Sequence, residues 1–239
     1  MNSIVAAQRE LAPGTATGGF ERTLADRVTA ELHRMILRGE FHAGEALRIQ
    51  ELAARFDTSS MPVREALRRL AALGLVDLVP HRGARVMELS RADLEDTFRT
   101  RLALEPLVTG EAAAKFDEEQ YARAEEALER HERLRLAGDV EGARIAHTEF
   151  HFTIYRASAS RWLLLAIEPV WQNTERYRFA APSGASAERS HREHTEILQA
   201  CHEHDVERAV EATRQHLQGA MDRMLDVLPP AGTTENERM

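Results

Sequence analysis

The chain of 239 residues contains a single cysteine, Cys201, and a single lysine, Lys115. One cysteine excludes an internal disulfide framework and is read as a small buried helix residue without a redox role. No apolar run approaches the ~20 residues of a membrane span, and residues 1–19 lack the basic start and apolar stretch of a signal peptide. A cytoplasmic protein with no membrane partner is therefore expected. There is no glycine-rich phosphate loop and no grouping of a nucleophile with a base, so catalysis has little to rest on. What is present, 43% hydrophobic and 29% charged residues, is an ordinary globular composition, long enough for two domains with separate cores.

A net charge of −8 argues at first against a nucleic-acid partner, but its distribution is uneven. Residues 1–90 carry 12 basic and 11 acidic side chains, the remainder 19 and 28. Between Arg55 and Arg85 six arginines face three acids, which concentrates positive charge on one segment. The predominance of arginine over lysine is compositional bias and carries no recognition chemistry.

Residues 1–20, rich in Ala, Gly and Thr, read as a tail, followed by a first domain over 21–89. Leu24, Val28, Leu32, Met35 and Ile36 step by threes and fours, predicting an amphipathic helix that stops at Gly39. A short helix over Ile49–Phe56 and a third from Ser59 or Ser60 to Leu73-Gly74 follow, joined by a tight turn. In the third, Val63, Leu67 and Leu70 form the buried stripe, and Arg64 and Arg68 share another face with Arg69 beside them. Leu75 to Val79 and Ala84 to Met87 read as two strands around His81-Arg82-Gly83. Three helices and a hairpin predict a winged helix-turn-helix, whose third helix enters the major groove of double-stranded operator DNA.

These residues, Leu47 to Ala53, Met61-Pro62-Val63-Arg64-Glu65-Ala66-Leu67-Arg68-Arg69-Leu70, Gly74-Leu75-Val76 and Pro80 to Val86, resemble the GntR superfamily of bacterial regulators. The resemblance implies that Arg64 contacts bases or phosphates and that Gly83 lets the wing approach DNA. It sets the DNA-contacting group as Arg48, Ser59, Ser60, Met61, Arg64, Arg68, His81, Arg82 and Gly83. Ser60 stands where the family usually has arginine, which implies a different operator.

The second domain, 90–229, shows no strand-like alternation, and its punctuation predicts about six helices in an antiparallel bundle, with a tail over 230–239. Ser90, Asp117, Asp139, Ser160, Ser186 and Asp205 mark the starts. The fold class expected is mainly α: a winged helix-turn-helix followed by an all-helical bundle. His147 and His151, four apart, share one helix face beside Ala143, Phe150 and Ile154, while His194 and His216 lie midway along two later helices. By spacing alone, such a pair more often serves capping, packing or a solvated face than metal ligation.

Arg101-Leu102-Ala103-Leu104-Glu105, Phe150-His151, Glu193-His194 and Gln215-His216-Leu217 resemble the FadR-type C-terminal (FCD) domain of one large GntR branch. Metal-binding members use one Asp and three His, and His147 stands in the place of the Asp. The resemblance implies a divalent metal ion, zinc, nickel or similar, on His147, His151, His194 and His216. It also implies a small carboxylate metabolite as effector, paired with Arg101. A homodimer is expected because one winged helix reads too few base pairs for specificity. For Arg101 an ion pair with Glu105 is the equal alternative. Tyr177, Arg178 and Trp171 share a helix but have no direct warrant as site residues.

The function expected is a DNA-binding transcriptional regulator controlled by that effector, with repression the expected mode. Two other readings were weighed. A metal-dependent enzyme fails on spacing: in His147-Thr148-Glu149-Phe150-His151 the Glu is one residue late for a zinc protease, and Glu188 with His191 is a lone di-iron pair. An architectural DNA-binding protein without effector leaves the histidines unexplained.

Overall fold

The computed structural model describes residues 23–80, 82–180 and 187–228, with side chains for all of these but Phe179 and Ala180. Both expected tails and His81 lie outside the described residues. The chain divides into two units between Glu88 and Leu89.

In the first unit α1 (Leu24–Leu37) is followed by β1 (Ala46–Arg48), α2 (Ile49–Arg55), α3 (Ser60–Ala72), β2 (Val76–Val79) and β3 (Gly83–Val86). Thr23 opens α1 through a reciprocal cap: its hydroxyl accepts from the Asp26 N–H, and the Asp26 carboxylate accepts from the Thr23 N–H. Val28, Leu32, Met35 and Ile36 of α1 and Val63, Leu67 and Leu70 of α3 belong to one buried cluster. Across the same seam the Arg69 guanidinium grips Asp26, and within α3 it also pairs with Glu65. Gly74, at φ +70°, ends α3 in the left-handed region, where a side chain would cost ~1 kcal/mol.

The sheet has the order β1-β3-β2, antiparallel throughout, with Leu47 opposite Ala84 and Val76 opposite Val86. β1 is a strand that the sequence reading does not predict. Its three residues bury only Leu47, too little for alternation to show. β1 also changes the reading of Gly83. That residue is buried, pairs with Arg48 at φ +134°, and a Cβ there would run into the Leu47 carbonyl. Glycine is required by the approach of β1, a contact within the unit, and an approach to DNA is not needed to explain it.

The second unit contains, among the described residues, α4 (Arg91–Ala113), α5 (Glu118–Leu136), α6 (Val140–Ala157), α7 (Arg161–Ala180), α8 (Ala187–His202) and α9 (Val206–Leu225). The side chains of Ser90, Asp117, Asp139 and Asp205 accept from backbone N–H groups and start α4, α5, α6 and α9. Short turns pair α5 with α6 and α8 with α9. α4 packs against α6, α7, α8 and α9. It buries Leu94, Phe98, Val108 and Ala112, and with them Arg101 and Glu105. Polar chemistry is thereby carried into the centre of the bundle. No helix among the described residues is long and apolar enough to cross a membrane.

Candidate functional site

Two places concentrate functional side chains, one in each unit. In the first, Arg64 and Arg68 project from α3 into solvent and have no ion pair among the described residues, whereas Arg69 is consumed by Asp26 and Glu65. Arg64, Arg68 and Gly83 line a groove of about 300 Å³ between α3 and the wing, floored by Ile49 and Leu67. Ser59 caps α3 without a side-chain hydrogen bond, no acid occupies the first turn, and Met61 there is 74% exposed. Bare N–H groups at such a helix start favour an anion. Arg48, at the end of β1, pairs at 2.9 Å with Glu51, but both are well exposed, so the pair is weak and the head exchangeable. Arg82 is exposed on the hairpin. Neither Arg48 nor Arg82 lines the groove.

In the second unit α6 contributes His147 and His151, α8 His194 and α9 His216, all 1–2% exposed. One ring nitrogen of each lies within 4.8 Å of the others. His151 and His194 face each other with Nε2 atoms 3.1 Å apart. Burial pushes all four below the ordinary histidine range, with Arg178 adding to the effect at each; at His216 the Glu193 carboxylate partly opposes the fall. The rings are therefore neutral, the form in which imidazole ligates metal.

The outer nitrogens of two rings are already engaged. His216 Nδ1 donates to Glu193 Oε2 at 3.1 Å, and His151 Nδ1 lies 3.2 Å from the Tyr155 hydroxyl. By contrast, the Nδ1 atoms of His147 and His194 are buried with no hydrogen-bond partner. His194 faces the cluster with its Nε2, so its unpaired Nδ1 is an outer nitrogen, and the fit to a metal rests on the four converging nitrogens. Zinc–nitrogen bonds of about 2.0–2.1 Å set the nitrogens of one ion about 3–4 Å apart, so these residues fit a divalent ion after a small contraction.

Around the cluster stand two arginines. Arg101 is 1% exposed and forks onto Glu105 through Nε (2.5 Å) and Nη2 (3.0 Å), while its Nη1 is buried and unpaired. Both sequence alternatives thus keep a part: the ion pair is made, and one donor is left over. Arg178 Nη1 lies 3.5 Å from His147 Nε2, and its Nε is 3.1 Å from the buried Glu175 carboxylate.

Comparison with known proteins matches residues 24–86 to the model described as bacterial regulatory proteins, gntR family, and residues 96–219 to the FCD domain. The chain belongs to the GntR family. The HTH-type transcriptional repressor GlaR of Escherichia coli K12 is 31% identical over 196 residues, 76% of this chain and 87% of GlaR. The "Probable D-xylose utilization operon transcriptional repressor" of Paenarthrobacter nicotinovorans is 31% identical over 195 residues, 82% and 86% of the two chains. The fold is that of the solved E. coli McbR/YncC, with a TM-score of 0.75 at 24% identity, covering 85% of this chain and 98% of that one. This GntR protein is a DNA-binding transcriptional regulator, a class that is not enzymatic.

Residues that sequence reasoning missed in this regulator lie on the rim of the histidine cluster. Trp171 stacks on His147 with ring centroids 5.4 Å apart, and Arg178 reaches the same ring. Both stood on α7 in the sequence, but nothing there said which way α7 faces. A fifth histidine, His131 of α5, lies 5.3 Å from His147 by centroids and is tied by Nδ1 to the Ala143 carbonyl at 2.8 Å.

Proposed function

We propose that this regulator binds its operator as a homodimer and that a small carboxylate, docking on a divalent metal ion, changes that binding. His147, His151, His194 and His216 hold the ion, zinc, nickel or similar. The observation that carries the reading is the convergence of four buried, neutral imidazoles from three helices. Four nitrogen ligands leave open coordination positions for a carboxylate oxygen. The spare Nη1 of Arg101 supplies a charged donor to the same anion.

On DNA, Arg64 and Arg68 of α3 contact base edges or phosphates, with Ser59, Ser60 and Met61 at the helix start and Arg48 and Arg82 on the flanks. One winged unit reads too few base pairs for specificity, which favours a two-fold dimer on a pseudo-palindromic site. GlaR is described as a repressor and the Paenarthrobacter relative as a probable one, and repression is proposed here.

The route from ligand to DNA runs through α7, the helix that carries Trp171 and Arg178. Its Tyr177 hydroxyl donates to Asp93 at 2.5 Å and accepts from the Ser90 N–H at 3.1 Å, holding the first residues of the second unit. A shift of α7 on ligand binding therefore pulls on the chain beside Leu89.

Fluorescence anisotropy of labelled DNA from around the gene, with zinc-loaded or chelated protein and a panel of carboxylates, tests the proposal. At least one carboxylate is expected to shift operator affinity in the zinc-loaded protein only. His194→Ala and His216→Ala should lose that response while retaining effector-free operator affinity. A response equally strong after chelation contradicts the reading.

A further inference from the structure

The buried residues beside the histidine cluster form a continuous chain from α4 to α6. Arg101 grips Glu105 with two nitrogens, the Tyr155 hydroxyl donates to Glu105 Oε2 at 2.7 Å, and the same hydroxyl oxygen lies 3.2 Å from His151 Nδ1. All four residues are at most 1% exposed, so no solvent competes for these bonds. We propose that Glu105 and Tyr155 are positioning residues for the metal: they fix His151 with its proton on Nδ1 and its Nε2 lone pair turned into the cluster. The inference rests on the metal reading above for its consequence, but its premise concerns the metal-free protein.

Glu105 is the carboxylate of a two-point ion pair with Arg101, and a carboxylate accepts only. The single Tyr155 proton is committed to it, which leaves the phenol oxygen able only to accept from His151. A neutral imidazole has one N–H, so once Nδ1 carries it, Nε2 is bare. That bare nitrogen faces His194 Nε2 at 3.1 Å, and two bare nitrogens at that distance would repel. In the metal-free protein His194 therefore carries its proton on Nε2 and donates to His151, leaving its own Nδ1 bare, the very atom that has no partner.

The two histidines thus hold opposite tautomers. His151 is set for ligation in advance, whereas His194 must move its proton from Nε2 to Nδ1 before its Nε2 can ligate. A hydrogen-bonded partner on the outer nitrogen is also what raises the basicity of a ligating imidazole. Tyr155 supplies this for His151, as Glu193 does for His216.

Tyr155→Phe removes one oxygen and little volume, and tests the proposal in the full-length protein labelled with ¹⁵N-histidine. Long-range ¹H–¹⁵N spectra of the metal-free wild type should show His151 as the Nδ1–H tautomer and His194 as Nε2–H. In the variant His151 should lose that preference, and zinc affinity, measured by chelator competition, should fall about 10-fold or more. Matching circular dichroism would confirm that the variant folds. A wild-type His151 protonated on Nε2, or a variant whose zinc affinity stays within about twofold of a zinc-binding wild type, overturns the proposal. If the wild type binds no zinc, the metal reading and its consequence here fail, while the tautomers still decide whether the chain positions His151.

Discussion

Arg69 and Arg68 are neighbours on α3 with opposite surroundings: Arg69 is tied to Asp26 across the α1 seam, and Arg68 faces solvent in the groove beside the wing. One arginine is spent on the fold and the other is left for a partner. The prediction follows that the two separate by assay. Arg64→Ala and Arg68→Ala should each weaken operator binding, by ~1–3 kcal/mol where a base contact is lost, at unchanged unfolding midpoint. Arg69→Ala should instead lower the stability of the first unit by about 1 kcal/mol. Anisotropy at matched salt and urea unfolding read the two effects. Equal stability loss in Arg64→Ala and Arg69→Ala would remove the distinction.

Gly83→Ala should unfold the wing. The residue combines φ +134° with a backbone approach that leaves no space for a Cβ, so strain adds to a broken β1–β3 pairing. A loss of at least ~2 kcal/mol is expected. Chemical denaturation checks it, and a variant of native stability that merely binds DNA less well would return Gly83 to the DNA surface.

Acid should destabilise the bundle of the metal-free protein in two windows. The four cluster histidines are held below 6.5 by burial, so above that pH they are neutral folded or unfolded and contribute no pH dependence. As pH falls below 6.5 the unfolded chain takes up protons that the folded one refuses. Each pKa unit of difference then removes about 1.4 kcal/mol per histidine, until the folded values are reached. Glu193 acts lower: burial would raise its pKa, but His216 and Arg223 outweigh this and hold it at about 2. Its contribution is present above 4.5 and lost as pH falls toward 2. Trp162 and Trp171, the chain's two tryptophans, both lie in the second unit, so their fluorescence reports its melting alone. A melting temperature unchanged from pH 7.5 to 5 would contradict this account.

Tyr177→Phe should separate ligand binding from its effect. The variant keeps Trp171 and Arg178 at the cluster but loses the bonds to Ser90 and Asp93. Zinc and carboxylate affinities are expected to stay, while the carboxylate no longer shifts operator affinity. An intact response measured by anisotropy would place the route elsewhere.

Much of this architecture is legible in the sequence because it is written locally. Ser90, Asp117, Asp139 and Asp205 are caps whose effect is confined to one helical turn, and four of the bundle helices begin where these residues stand. The four histidines were readable as a set through the family resemblance; by spacing alone only His147 and His151 are related. What escaped depends on neighbours distant in the chain. β1 is defined by its pairing with β3, the role of Arg69 by Asp26, 43 positions earlier, and that of Gly83 by Leu47. Tyr155 sits four residues after His151 and was visible, but its meaning comes from Glu105, fifty residues away on α4.

The account's central claim is that the four histidines hold an ion, and elemental analysis of the full-length protein purified without an affinity tag tests it most directly. The account predicts about one divalent transition-metal ion per chain, absent from His194→Ala and His216→Ala. Protein that carries no stoichiometric metal as purified, and takes up none from zinc or nickel after dialysis, would contradict it.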